Sequence, residues 1–240
     1  LRHASEQGIT DVVNTVHYQH PKVEAEDISY KRITNAIADL QKELIKNSIP
    51  INLHIGAEVF YLPNLLEIKN DPLASFIHHN YMLIEFQTHQ LPLSQRDQLF
   101  NLKLSGTTPI IAHPERYKFV QEDINHITRW MESGCIIMVD AGSPLGFFGE
   151  KCKIASERII KNGWCHILGS DSHDDNKRNF CLKESVDYVK KWIGDDVYKM
   201  VYDNPKSVIE GSNISVDFDY EESENLSIFN RIKSKWDSLN

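Results

Sequence analysis

Pro109-Ile110-Ile111-Ala112-His113 is an apolar run that stops at a residue able to bind a metal or move a proton. The same form recurs in Asp11-Val12-Val13-Asn14-Thr15-Val16-His17, Ile51-Asn52-Leu53-His54-Ile55-Gly56-Ala57-Glu58, Tyr81-Met82-Leu83-Ile84-Glu85, Ile136-Ile137-Met138-Val139-Asp140 and His166-Ile167-Leu168-Gly169-Ser170-Asp171. Short apolar runs bounded by turn signals and separated by helix-like stretches read as buried parallel strands. In a parallel β/α sheet or barrel all strands point the same way, so these polar ends meet at one mouth. Helical patterns run through Ile33, Ile37, Leu40, Leu44 and Ile45 and over 63–79, 91–104, 121–133, 149–162 and 179–193. Alternation of this kind gives a right-handed α/β coil, closed as a barrel or open as a doubly wound sheet.

At 240 residues the chain fits one large domain. We place it at 1–212 and treat 213–240 as a tail, in which Asp217, Asp219, Glu221, Glu222 and Glu224 precede a short amphipathic piece from Ile228 to Trp236. That tail packs on the outside or serves as a contact arm, and self-association into a homo-oligomer stays open. Leu1 to Gln7 reads as the last turns of a helix closed by Gly8. Seven residues are too few for a helix to stand alone, so we expect an upstream strand that this sequence does not show.

A formal charge of -8 argues against a phosphate-backbone binder, and we expect no nucleic-acid partner. No run approaches the roughly 18 to 20 apolar residues a membrane helix needs, so we expect no membrane insertion and a cytoplasmic location. Cys135, Cys152, Cys165 and Cys181 form no Cys-x-x-Cys pair and read as reduced thiols, buried or half-buried. We read no Arg six residues after any of the four, and so expect no Cys-x5-Arg phosphate loop of the cysteine-dependent phosphatases.

The strand ends carry His17, Glu58, Glu85, His113, Asp140 and Asp171, with His173 two residues beyond the last. Carboxylates gathered at buried strand ends repel one another unless cations compensate them. Mixed His and carboxylate ligands suit divalent Mn, Fe, Zn or Co, and bridging carboxylates make a multinuclear cluster feasible. Asp171-Ser172-His173, read as a strand end, puts two ligand types on one face. Asp140, followed by Ala141-Gly142-Ser143, reads instead as a loop-orienting residue. Arg116 and Arg178 lie just past ligand positions, and a guanidinium's planar fork suits a phosphate.

Thr15-Val16-His17, Gly56-Ala57-Glu58, Leu83-Ile84-Glu85-Phe86, Ile111-Ala112-His113-Pro114-Glu115-Arg116-Tyr117, Asp140-Ala141-Gly142-Ser143-Pro144-Leu145-Gly146, Ser170-Asp171-Ser172-His173 and Asn204-Pro205 resemble the ordered motifs of the PHP-type protein-tyrosine phosphatases encoded with bacterial capsule and exopolysaccharide genes. The resemblance covers about residues 1 to 211. It implies a distorted (β/α)7 TIM-like barrel whose first strand, carrying a His-x-His, is missing from the residues given. It further implies a three-metal cluster held by His17, Glu58, Glu85, His113, Asp171 and His173, with manganese the first expectation and Fe, Co, Zn or Mg the others. Arg116 and Arg178 would hold the phosphate, and His173 or a metal-bound water would assist the leaving group.

The implied substrate is phosphotyrosine on the tail of a bacterial tyrosine autokinase that controls polysaccharide export, hydrolysed by a metal-activated hydroxide without a covalent phospho-enzyme. Tyr18 departs from the pattern, standing where many relatives have His or Arg. Two other readings fit the same motifs: a PHP phosphoesterase for a small metabolite, and a non-catalytic phosphotyrosine-binding regulator should the His-x-His be truly absent.

Overall fold

The computed structural model describes residues 1–21, 28–76 and 78–215. The acidic stretch Glu24 to Asp27 and the tail piece Ile228 to Trp236 lie outside them. Six strands form one sheet in the order β1 to β6, and every neighbouring pair is parallel. They are β1 (Asp11–Tyr18), β2 (Asn52–Phe60), β3 (Tyr81–Glu85), β4 (Thr108–Ala112), β5 (Ile136–Asp140) and β6 (Ile167–Gly169). Sequential order with parallel pairing requires a crossover on one face each time, and these crossovers carry most of the helices.

The sheet is strongly curled. In a flat sheet of six strands the two edges would stand about 24 Å apart. Here the ring of His17, near the end of β1, lies 5.6 Å from that of His173, in the loop after β6. The curl divides the side chains into two layers by the strand period of two. Tyr81, Leu83, Ile110, Ala112, Ile136 and Ile167 pack inside the curl, joined by Phe76. Met82, Ile84, Ile111, Ile137, Val139 and Leu168 face outward into the larger core under the helices, which includes Leu99, Leu102, Trp130 and Ile159. Gly56 is needed on the inner face of β2: a Cβ there would lie 2.9 Å from the Phe76 ring.

The helices sharpen the sequence reading in places and correct it in others. Helix α1 (Arg2–Glu6) ends as expected, with Gly8 at φ +87°. Helix α2 (Tyr30–Lys46) starts at Ser29, whose hydroxyl accepts from the Arg32 amide. The stretch 63–79 is not one helix; it holds only α3 (Leu65–Ile68), followed by turns in which Asp71 accepts from the Leu73 amide. Asp71-Pro72 disfavours the helical conformation before the proline, and the hydrophobic pattern reflects turn residues packing inward instead. Likewise 121–133 is split between α5 (Lys118–Glu122) and α6 (Asn125–Glu132), because Asp123 leaves helical geometry and caps the Asn125 amide. Helices α4 (Gln95–Leu104), α7 (Gly142–Leu145), α8 (Glu150–Lys161), α9 (Leu182–Ile193) and α10 (Asn204–Glu210) complete the order. Cys135, Cys152 and Cys165 are buried and Cys181 is half-buried, all unpaired, as read. No helix of the described residues is long and apolar enough to cross a membrane.

His166, just before β6, carries a measurable consequence. Burial lowers its pKa to about 4, and its Nδ1 accepts a hydrogen bond from the Ile137 amide. The unfolded value is near 6.5, so between these limits the unfolded chain binds more protons. Stability from this group is therefore complete above pH ~6.5 and declines as the pH falls through the window, by about 3 kcal/mol at its foot. H166N keeps an acceptor for Ile137 and cannot titrate. Urea midpoints at pH 7.5 and 4.5 should show a smaller acid loss for H166N than for the wild type; parallel losses would remove His166 from the account.

Candidate metal centre

Register builds the first part of the site. His17 on β1 is paired with Glu58 on β2, and Phe60, two residues further on the same face, is paired with Glu85. All three acids and imidazoles therefore rise from the inner face of the curl. His17 Nε2 lies 3.5 Å from Glu58 Oε2. On β3 the inner-face series Tyr81, Leu83, Glu85 runs from apolar packing into the mouth, which explains why an acid can end a core strand.

His113 reaches the same mouth by a backbone device. Alternation along β4 would turn it outward with Ile111, but it stands one residue past the strand at φ +32°. Its Nε2 contacts Glu58 Oε1 at 3.0 Å and Glu85 Oε1 at 3.8 Å. Burial pulls its pKa down most strongly of any single cause, but the hydrogen bond to Glu58 and the charges of Glu58 and Asp171 together outweigh that and lift it to about 9. Tyr117 braces this corner, donating to the Ala112 carbonyl at 2.7 Å and accepting from the Phe86 amide at 2.9 Å.

Asp171 requires a correction. It is not at a strand end: β6 stops at Gly169, and Asp171 sits in a loop at φ +42°. The period-two argument for Asp171 and His173 therefore does not apply. The loop is held instead by the His173 amide on the Arg178 carbonyl at 2.9 Å and by Ser172 Oγ on the same oxygen at 3.0 Å. His173 Nδ1 is 2.9 Å from the Asp171 carbonyl oxygen. Since a carbonyl can only accept, Nδ1 carries the proton and the Nε2 lone pair is left for a cation.

Two groups of possible ligand atoms converge within 4.8 Å: His17, Glu58 and Glu85, and Glu58, His113 and Asp171. Glu58 belongs to both. Burial and then repulsion by Glu58 push the Glu85 carboxyl above its ordinary pKa. Glu85 Oε2 and His113 Nδ1 are buried without a hydrogen-bond partner among the described residues. An electron-rich, partly unsatisfied set of oxygens and imidazoles is what a divalent cation completes, so these residues fit the metal cluster expected from the motifs. His173 stands at the rim and lies in neither group.

Above the carboxylates, Arg116 and Arg178 share one acceptor. Arg116 donates to Asp171 Oδ2 at 2.6 Å and Arg178 to the same oxygen at 2.5 Å. Asp171 is desolvated, yet its pKa is held down by His113 and the two guanidinium groups. Arg116 also lies 3.4 Å from Asp140 Oδ2. The other Asp140 oxygen accepts from the Gly142 amide at 2.7 Å, and burial followed by repulsion from Glu115 raises its pKa. Glu115 is fully buried and ties two loops together, since its Oε1 accepts from Ser143 Oγ at 2.7 Å and from the Asp140 amide at 3.0 Å.

Residues 1–210 match the family model described as capsular polysaccharide synthesis, CpsB/CapC. The chain belongs to the CpsB/CapC family. Tyrosine-protein phosphatase YwqE of Bacillus subtilis (strain 168) is 28% identical over 214 residues, covering 89% of this chain and 83% of YwqE. Tyrosine-protein phosphatase CpsB of Streptococcus pneumoniae is 26% identical over 216 residues, 87% of this chain and 88% of CpsB. A crystal structure from work on YwqE and CpsB, described there as unique metal-dependent tyrosine phosphatases, superposes with a TM-score of 0.82 at 28% identity, over 89% of this chain and 86% of that one. The resemblance carried by the motifs thus holds at the level of family and α/β fold.

Three features escaped the sequence reading. His20 lies beside the cluster, its Nε2 3.6 Å from Glu85 Oε2 and its ring 5.0 Å from that of His17. Tyr18 meanwhile points elsewhere, donating to Asp71 Oδ2 at 2.8 Å. Glu115, within His113-Pro114-Glu115-Arg116-Tyr117, is the second: buried, it ties the Arg116 segment to the loop of Asp140 and Ser143. The third feature is Cys-x5-Arg spacing, which Cys152 and Arg158 do satisfy. The segment is helix α8 rather than a loop; Cys152 is buried, receives a contact from Gln121 Nε2 at 3.3 Å, and burial raises its pKa. A thiol in that state is no phosphate nucleophile.

Proposed function

We propose that this chain is a metal-dependent protein-tyrosine phosphatase acting on the phosphotyrosine-bearing tail of a bacterial tyrosine autokinase that regulates capsule or exopolysaccharide synthesis. The observation that supports it most is Glu58 shared between two ligand groups, with two arginines gathered on the Asp171 carboxylate beside them. His17, Glu58, Glu85, His113, Asp171 and His173 would hold the ions, manganese before Fe, Co, Zn or Mg. When bound, such ions supply a hydroxide nucleophile near neutral pH and polarise the phosphoryl group.

The chain's own residues do the rest. Arg116 and Arg178 bring two planar donor forks to the non-bridging oxygens of the phosphoryl group. Asp171 sets their common position, and Asp140 steadies Arg116 from below. A tyrosyl oxygen leaves with a pKa near 10, well below that of a serine or threonine alkoxide, so its departure needs little help from a general acid. The unit spans 1–212 with the tail as an accessory. One further parallel strand between the edges of β1 and β6 would close a seven-stranded barrel. This reading places the chain in the cytoplasm, where such a kinase tail lies.

Elemental analysis and a side-by-side assay decide the matter. The expected result is two or more metals per chain, hydrolysis of p-nitrophenyl phosphate in Mn, and faster turnover of a phosphotyrosine peptide than of small sugar phosphates. Fewer than two metals with no hydrolysis after Mn addition would sink the enzyme reading; preference for sugar phosphates would sink the protein substrate.

A further inference from the structure

Phe148 lies under both arginines. The Arg116 guanidinium carbon is 4.7 Å from the centre of its ring and that of Arg178 is 5.9 Å away. No other aromatic ring among the described residues is shared by two cations in the mouth. The backbone fixes that ring closely. The Phe147 amide donates to the Gly142 carbonyl at 3.0 Å, and the Gly149 amide to Gly146 at 3.1 Å. Gly146 and Gly149 have φ of +86° and +89°, conformations that favour glycine. Gly142 carries no Cβ because one there would sit 3.1 Å from the Phe148 ring and 2.9 Å from that of Phe147. The Ser143 hydroxyl on buried Glu115 pins the same loop to the segment bearing Arg116.

This placement answers a problem that the carboxylates leave unsolved. Asp171 is both the common polar anchor of the arginines and a member of a ligand group. A carboxylate shared with a dication has less negative charge to offer a guanidinium, so its hold weakens in the state that matters. An aromatic face holds a guanidinium without neutralising it. It also occupies the plane's face and leaves the N–H edge for an anion.

We propose that Phe148 is the positioning residue of the phosphate clamp, holding Arg116 and Arg178 side by side with their N–H edges open to the phosphoryl oxygens. This rests on the phosphatase reading above, and its test needs no turnover. Binding of inorganic phosphate to the Mn-loaded protein is measured by calorimetry for wild type, F148L and F148Y, with KM and kcat for p-nitrophenyl phosphate measured alongside. F148L should weaken phosphate binding and raise KM, each about tenfold, with metals per chain unchanged, and F148Y should restore both. F148L binding phosphate as the wild type does would overturn the proposal. So would an equal loss in F148Y, because that would mark a packing role without cation contact. Phosphate binding in a wild type that hydrolyses nothing would refute the phosphatase reading alone, whereas no phosphate binding in the wild type would refute both.

Discussion

Turnover of p-nitrophenyl phosphate by E58Q should fall about a thousandfold or more, with metal content dropping to at most half of the wild-type value. Glu58 turns one oxygen toward each candidate ligand group: Oε1 faces His113 and Oε2 faces His17. Glutamine keeps the size and can still accept from His113, but it is neutral and presents only one oxygen. It therefore could not serve both ligand groups if each were to hold a cation. The fold should tolerate the change, because Glu58 is one of the groups whose repulsion raises the Glu85 pKa, and its neutralisation relieves that repulsion. A chelator-treated E58Q should melt within a few degrees of chelator-treated wild type. Full metal content with lost activity would reassign Glu58 from ligand to catalytic group; full activity would remove it from the site.

The strands were legible because burial on both faces writes itself as continuous apolar runs, and the residue stopping each run marked the mouth. His17, Glu58 and Glu85 were read as the residues at which such runs stop, and the parallel register brings them to one face. His113 and Asp171 do lie at the mouth, but both reach it through left-handed backbone geometry that periodicity does not encode. The helix boundaries near Asp71 and Asp123 were misread because apolar spacing was allowed to outweigh side-chain caps. Phe148 and His20 were invisible for a different reason. Phe148 acts through a loop whose course depends on three glycines, and His20 through the turn after β1, so neither lies on an element whose period could place it. The spacing of Cys152 and Arg158 shows the converse: a motif without its loop is only spacing.

Arg116 should separate phosphate recognition from metal binding. Its guanidinium touches Asp171, Asp140 and the Phe148 ring, and it is no metal ligand. R116A should lower kcat/KM about a hundredfold to a thousandfold, the loss that follows removal of one preorganised donor from a developing charge, while metals per chain stay at the wild-type number. Removing the cation also leaves Asp140 and Asp171 less compensated, so R116A should melt lower, and its activity alone would not isolate the role. R116K settles this. Lysine keeps a positive charge near the two carboxylates and should recover most of the thermal stability, yet a single ammonium cannot present the paired donors of a planar fork. Its kcat/KM should remain within about tenfold of R116A. Wild-type turnover in R116K would mean that charge alone suffices and that the clamp geometry carries no catalytic weight. Loss of metal in either variant would instead place Arg116 among the residues that build the cluster.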